Sequence, residues 1–258
     1  MRRTAKSLPF IFILGTLLAC SSFTKLLHRS GTEFTVRIST EASDKDAIVE
    51  KAVRSLESKL SAIRLDGVVN RVNDAPDLIK VRIFGEPLHG DIRKTLFTAY
   101  QLEMRPVAGV QYSYQTEDEA RAKAKVDQEV LPDKANRSGD RPAFYIVEKG
   151  SVINGDDIRT AKASEDVGAT SNYRIFFTLK PESVEKFRLW TRSHIGSYLA
   201  IVLNKEVQTA PVIKGEMTDQ GVIEGHFTRE EAESIALDLN SGYLPATMTV
   251  TDEAQFGG

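Results

Sequence analysis

The first part of the chain alternates apolar and polar residues in the way that half-buried strands do. Phe34–Thr40 and Leu78–Phe84 both follow this period of two, and Val68–Val72 predicts a further short strand. Between the first two of these, apolar residues recur at steps of three and four from Val49 to Ile63, which predicts an amphipathic helix. A second helix at Ile92–Tyr100 and a strand at Gln101–Val107 follow, as their residue patterns indicate. The order is βαββαβ, the ferredoxin-like arrangement.

Residues 143–243 show a second α+β pattern. Asn172–Leu179 alternates as a strand, and Pro181 is well placed at the first position of the helix that follows. Tyr198–Leu203 and Val207–Ile213 flank a short turn and predict a hairpin. Thr228 to Glu231 forms a capping box, so a helix is expected to begin at about Arg229 and to run to about Asn240.

Residues 116–142 differ from both units because they contain almost no large apolar side chain. This composition predicts a polar connector, and the helix-forming residues at Glu117–Val126 allow a loose helix within it. The last predicted strand, Thr247–Thr251, follows Leu244 and Pro245. We expect this segment, 244–252, to return to the first sheet and to complete a base at 34–115. The unit at 143–243 is then an inserted head, and 253–258 is a tail. The fold class is α+β.

Two chain crossings, near 108–116 and 241–245, would connect such a base and head. Two crossings side by side predict a hinge. Its candidate residues are Gly109, Gly242 and Pro245, since glycine supplies backbone freedom and proline fixes the direction of the chain.

The N-terminus reads as a secretory signal over residues 1–19. Basic residues from Arg2 to Lys6 precede an apolar run at Leu8–Cys20, which is shorter than the roughly 20 residues needed to cross a bilayer. The run ends in Leu-Leu-Ala-Cys and resembles the lipobox of bacterial lipoproteins, so Cys20 is the expected site of lipid attachment. The alternative is an uncleaved anchor extending to Leu27. With cleavage before Cys20, 20–33 is a polar tether. In either case the rest lies outside the cytoplasm, periplasmic in a bacterial envelope and held at a membrane.

Composition narrows the function classes. The net charge of −2 argues against non-specific nucleic-acid binding, and the single cysteine excludes an intrachain disulfide. The sequence has no phosphate-binding glycine loop, no nucleophile elbow and no zinc-binding histidine pair. The adjacent Asp156 and Asp157 suit a turn or a helix cap better than acid–base catalysis. We therefore expect no catalytic residue, no cofactor and no metal site.

The region from 173 to 247 resembles the first periplasmic domain of SecD, an accessory subunit of the bacterial Sec translocon. The positions that carry the resemblance are Leu199–Leu203, Val207, Ala210-Pro211, Gly221, Gly225, Phe227-Thr228, Glu231-Ala232, Ala236, Leu239, Gly242 and Leu244-Pro245-Ala246. Leu102–Val107 also resembles the end of the base in that domain. The resemblance implies a ferredoxin-like base with an inserted head that engages translocating polypeptide and swings about the base.

Two departures from the SecD pattern are visible. The hairpin turn carries Asn204-Lys205 where the family often has Asp-Gly, and no second apolar run here is long enough for the membrane spans that couple proton flow to movement in SecD. The leading hypothesis is a non-enzymatic, membrane-tethered domain that assists export by binding unfolded exported polypeptide or Sec translocon components. The alternative is a structural lipoprotein that serves as a partner-docking module in envelope assembly. Client contacts are expected along Asn172–Leu179 and Tyr198–Ile213, without assignment to single residues.

Overall fold

The computed structural model describes residues 30–108, 113–134, 143–166 and 172–257. Its helices are α1 (Lys45–Ala62), α2 (Gly90–Phe97), α3 (Glu117–Lys123), α4 (Pro181–Ser193) and α5 (Arg229–Ser241). Its strands are β1 (Gly31–Ser39), β2 (Gly67–Val72), β3 (Ala75–Phe84), β4 (Leu102–Ala108), β5 (Gln128–Pro132), β6 (Phe144–Glu148), β7 (Ile153–Asn154), β8 (Ile158–Glu165), β9 (Tyr173–Leu179), β10 (Leu199–Leu203), β11 (Glu206–Thr209), β12 (Gln220–Phe227) and β13 (Thr247–Phe256).

A four-stranded antiparallel sheet forms the base, which consists of β1, α1, β2, β3, α2 and β13. The strand order is β13-β1-β3-β2. The alternating residues of β1 and β3 put Phe34, Val36, Ile79 and Val81 on one face, where they pack against α1 and α2. Asp44 caps the N-terminus of α1: its carboxylate accepts a hydrogen bond from the amide of the third helical residue at 3.0 Å. The mixed fold class expected from the sequence is confirmed.

The head consists of the elements from β4 to α5 and contains two further sheets. One has the order β11-β10-β4-β6-β5, with β7 also beside β4. A bridge between Asp133 and Val207 joins its two ends, so the sheet curls into a small barrel. The barrel interior is filled by apolar side chains from four of its strands and adjoining loops. They are Leu131, Tyr145, Val147, Ala200, Val202, Val207 and Ala210.

The other head sheet is three-stranded, with the order β12-β9-β8. It shares a core with α4, α5 and the outer face of the barrel. β10 is buried on both faces, because Ala200 and Val202 point into the barrel while Leu199, Ile201 and Leu203 point into this shared core. An uninterrupted apolar run such as Leu199–Leu203 is typical of a strand in this position.

One strand lies in a different sheet from the one its position in the sequence suggests. Gln101–Val107 predicts the fourth strand of the base, but β4 pairs with β10 in the head, and β13 occupies the edge beside β1. Leu102 and Met104 are buried in the head core, and Arg105 forms an ion pair with Glu129 of β5. Alternation shows that this segment is a strand, but it carries no information about which sheet the strand joins.

The predicted polar connector at 116–142 is structured over much of its described part. β5 pairs with β6 along five residues, and Ala120 of α3 is buried. β5 buries one residue in the barrel, Leu131, and its other residues are half-buried. Because it has so few buried apolar residues, its composition resembles that of a loop. The connector prediction is wrong for 128–132, which form a paired strand, whereas α3 lies where the sequence allows a loose helix.

The base is longer at both ends than the sequence predicts. Gly31 pairs with Phe256, so the expected tether at 20–33 ends before β1, and most of the expected tail at 253–258 belongs to β13. The Phe256 ring packs edge-on against Phe84, with centroids 5.8 Å apart. The sequence does not predict this pairing, because the end of β13 is solvent-exposed and its residues are mostly polar, without apolar alternation.

Candidate functional site: an apolar pocket in the head and the crossings below it

An apolar cavity lies in the head, between the barrel and the three-stranded sheet. It has a volume of about 430 Å³. β4 and β10 form one wall, β9 and β12 form the other, and a rim segment at 211–217 covers one side. The charged residues Lys214 and Glu216 of the rim also line the cavity. Its apolar lining side chains are Met104, Phe177, Leu199, Ile201, Pro211, Val212, Ile213, Met217 and Val222. Such a lining is suited to an apolar guest.

One wall of the pocket depends on a glycine in β12. A β-carbon on Gly221 would lie 2.3 Å from Cζ of Phe177. Glycine at this position therefore lets the tip of the Phe177 ring approach the β12 backbone closely. β12 is also an edge strand of its sheet, so Gly221 and Val222 present both a pocket wall and a strand edge.

The rim segment is fastened to α4. The amide of Met217 donates a hydrogen bond to Oγ1 of Thr191 at 3.0 Å, and Arg188 donates to the Glu216 carboxylate at 2.6 Å. Hydrogen bonds to Glu185 and Glu216 raise the pKa of the Arg188 guanidinium further above its ordinary value. The rim is therefore held in place over the pocket by polar contacts to α4.

Apolar surface continues outside the pocket. Tyr198 and Val212 form an antiparallel bridge and are both partly exposed, and the neighbouring Ile195 is exposed over more than half of its surface. Leu189 is likewise exposed on α4, the helix that anchors the rim. The regions expected from the sequence to contact clients, Asn172–Leu179 and Tyr198–Ile213, thus supply part of one pocket. Sequence reasoning missed Met104, Gly221, Val222 and the 214–217 part of the rim, which come from other segments.

Two chain crossings connect the base to the head, at 98–101 and at 242–246. The side-chain amide of Gln101 in the first donates to the carbonyl of Ala246 in the second at 3.2 Å, so the crossings run side by side. Gly242 has a φ of +95°, a conformation that glycine adopts without strain. The carbonyl of Pro245 accepts a hydrogen bond from the Thr40 hydroxyl of the base at 2.8 Å.

The first crossing is not where the sequence predicts it. Because β4 already belongs to the head, the chain leaves the base before Leu102 and not within 108–116. Gly109 itself lies outside the described residues, as does Cys20, the expected lipid attachment site. Gly242 and Pro245 do lie in the second crossing, and their role as hinge residues stays a prediction.

The described residues bring together no group of three His, Cys, Asp or Glu side chains that could hold a metal ion. Asp156 and Asp157 lie in a 3₁₀ turn, where the Asp157 carboxylate accepts from the Asn154 amide and caps the turn, as expected. Within the same residues, no helix combines the length and the apolar character needed to span a bilayer.

Comparisons with known proteins point to one family. Residues 128–246 match the family model of the SecDF P1 head subdomain. The chain is 29% identical to the translocase subunit SecD of Koribacter versatilis over 214 residues and 32% identical to that of Aquifex aeolicus over 215 residues. Each match covers 83% of this chain and 40% of the relative, so the chain spans about two fifths of their length.

Solved structures show the same fold. One is from a study of SecDF as a membrane component that enhances protein export; it matches with a TM-score of 0.63 and 25% identity over 85% of this chain and 98% of its own. SecDF in its super-membrane-facing form matches with a TM-score of 0.66 and 24% identity, over 90% of this chain and 31% of that one. The resemblance to the first periplasmic domain of SecD is confirmed.

Proposed function

We propose that this chain, a relative of the first periplasmic domain of SecD, assists protein export by holding unfolded polypeptide in the apolar pocket of its head. The observation that carries the proposal is the pocket itself, which lies within the residues that match the SecDF P1 head subdomain. The role is binding without catalysis. Components of the Sec translocon are the partners that the same similarity supports.

The size and lining of the pocket suit a side chain of an extended client. About 430 Å³ is within the range of small ligand sites and accommodates one or two large apolar side chains. Burying one such side chain contributes roughly 1.5–3 kcal/mol. Contacts of this strength select apolar character without selecting a sequence, and they allow release, as a factor that handles many exported chains requires.

The edge of β12 offers the client a second kind of contact. An extended segment can hydrogen-bond to the backbone of an edge strand whatever its sequence, while alternate side chains enter a neighbouring pocket. Gly221 and Val222 belong to both features, so main-chain pairing and side-chain burial would occur at the same place.

The N-terminal segment supports a membrane-tethered, extracytoplasmic location for this pocket. The proposed attachment is a lipid on Cys20, because the preceding apolar run ends in a lipobox-like sequence. Mass spectrometry of the mature N-terminus tests it. A protein that begins at a diacylated Cys20 supports the tether, and a chain that retains Met1 and an unmodified Cys20 contradicts it.

A charge placed at the mouth of the pocket tests client binding. Val212→Glu puts a carboxylate beside the apolar lining at a residue that is 37% exposed, so the fold should tolerate it. Val68→Glu is the matched control, since Val68 is 43% exposed on the base and far from the pocket lining. The readout is fluorescence anisotropy of labelled, permanently unfolded polypeptides of several sequences.

We expect Val212→Glu to weaken binding at least tenfold for every client and Val68→Glu to leave it unchanged. Equal affinities for the wild type and both variants would remove the pocket from the proposal. Binding to one folded partner at a fixed stoichiometry, with no affinity for unfolded chains, would instead support the alternative of a docking module in envelope assembly.

A further inference from the structure

A buried ion pair joins the base to the head. Nζ of Lys59, on α1, lies 2.5 Å from Oδ1 of Asp238, on α5, and the two side chains are 0% and 6% exposed. Lysine and aspartate are rarely buried this completely unless each has a partner. The client-binding pocket does not use either residue, since neither contributes to its lining.

The same two side chains also hold the first crossing and the end of α2. The Lys59 ammonium donates to the carbonyls of Thr98, Thr95 and Leu96, at 2.6, 3.2 and 3.3 Å. A cation is favoured there, because the last carbonyls of a helix have no partner within it. The other oxygen of Asp238 accepts from the amide of Tyr100 at 2.9 Å. Three helices and one crossing therefore meet at this pair.

Open space flanks the pair. A polar cleft of about 410 Å³ separates α2, at Asp91 and Lys94, from the first turns of α5, at Glu230 and Ser234. A second cleft of about 320 Å³ lies between the same helices, lined by residues that include Ile92 and Leu237. The apolar cores of base and head are separate clusters. The contact between α1 and α5 is thus a polar joint beside two clefts.

We propose that the Lys59–Asp238 pair is a latch that fixes the angle between base and head, and that the head turns on the two crossings when the pair opens. The clefts supply the room for α5 to move toward α2. Breaking the pair leaves a charge without its partner in a water-poor site, so the closed arrangement is strongly preferred. The inference does not depend on client binding.

The junction contains a matched control. Lys51 of the base and Asp156 of the head form a second ion pair at 2.7 Å, but their side chains are 29% and 53% exposed. Exposed pairs contribute little, because water and salt solvate both charges. Loss of this pair should leave the angle between base and head unchanged.

Double electron–electron resonance (DEER) spectroscopy, which measures distances between nitroxide labels on the base and the head, tests the latch. The full chain carries Cys20→Ser, with labels at Val68→Cys on β2 and Val126→Cys in the head, both exposed valines. We expect one narrow distance distribution for the parent and for Asp156→Asn. Asp238→Asn and Lys59→Met should each give a distribution at least twice as broad or a second population. A single narrow distribution in folded Asp238→Asn and Lys59→Met would overturn the proposal.

Hydrogen exchange of the wild-type protein tests the latch even if those variants do not fold. The amide of Tyr100 donates to Asp238, so an opening latch exposes it without unfolding either core. We expect it to exchange at least tenfold faster than the amides of Val81 in the base and Ile201 in the head. Exchange of all three at one rate, through global unfolding, would contradict the latch. Neither measurement contains a client, so its failure differs from a failure of client binding.

Discussion

The ring of Phe177 lies against the backbone of Gly221, so closely that a β-carbon there would be 2.3 Å from Cζ and 2.6 Å from Cε1 of the ring. The two residues belong to neighbouring strands, β9 and β12, and are paired in register. Their contact shapes one wall of the apolar pocket. The pocket therefore depends on the absence of a side chain at one position.

Gly221→Ala should narrow the pocket. The added methyl group displaces the Phe177 ring into the cavity or separates β12 from β9, and overpacking of this kind typically costs about 1–3 kcal/mol. Client affinity should fall together with the unfolding free energy. Gly150→Ala is the control, because a β-carbon on Gly150 meets nothing within 4 Å. If Gly221→Ala binds clients like the wild type, the Phe177 wall is not part of the binding site.

Glu33 gives the base a predictable dependence on pH. Hydrogen bonds from Lys80 and Arg82 on β3, at 2.6 and 2.5 Å, lower the pKa of the Glu33 carboxyl from its ordinary value of 4.5. A carboxyl whose pKa is lower in the folded state stabilises the fold above its unfolded pKa, and this contribution disappears as the pH falls through the folded pKa.

Glu33→Gln should therefore destabilise the protein by about 1 kcal/mol or less at neutral pH, since both cationic partners are half exposed. The difference between wild type and variant should shrink as the pH is lowered from about 5 toward 3. Urea titrations across this range measure it. A difference that is constant with pH would show that Glu33 acts through packing and not through its charge.

Arg105 braces the barrel from within. Its side chain is 3% exposed, and it donates to the carbonyl of Glu148 and to the carboxylate of Glu129, both at 2.7 Å. Burial raises the pKa of Glu129, but the Arg105 hydrogen bond and charge, assisted by Lys205, outweigh it and lower the pKa overall. Arg105 thus connects β4, β6 and β5.

Arg105→Met should destabilise the head by about 2–4 kcal/mol, because it leaves Glu129 partly buried without its main partner. The double variant Arg105→Met with Glu129→Leu should recover at least half of this loss, since it removes the stranded charge as well. Chemical denaturation followed by the fluorescence of Trp190 in the head reports both values. A double variant no more stable than the single one would mean that Arg105 acts mainly by filling space.

Local sequence patterns predicted most helices and strands. They did not predict which strands pair with each other, because pairing depends on residues far apart in the sequence. The sequence correctly predicted the capping box at Thr228 and Glu231 and the hairpin turn. In that turn, Asn204 and Lys205 adopt positive φ values of 51° and 62°, as tight hairpin turns require. The sequence did not predict the pairing of β4 with β10, because alternation identifies a strand but not the sheet that it joins. The sequence did not predict the pocket itself, because the packing of Gly221 depends on Phe177, which lies 44 positions away.

Site-specific photocrosslinking during export tests the central claim, that exported chains occupy the head pocket. A photoreactive amino acid at Val212, at the pocket mouth, is compared with one at Val126, which is 93% exposed and outside the pocket lining. With an exported polypeptide stalled in transit, the account predicts crosslinks from position 212 to several unrelated clients and none from position 126. Equal crosslinking from both positions, or none from position 212, would contradict it.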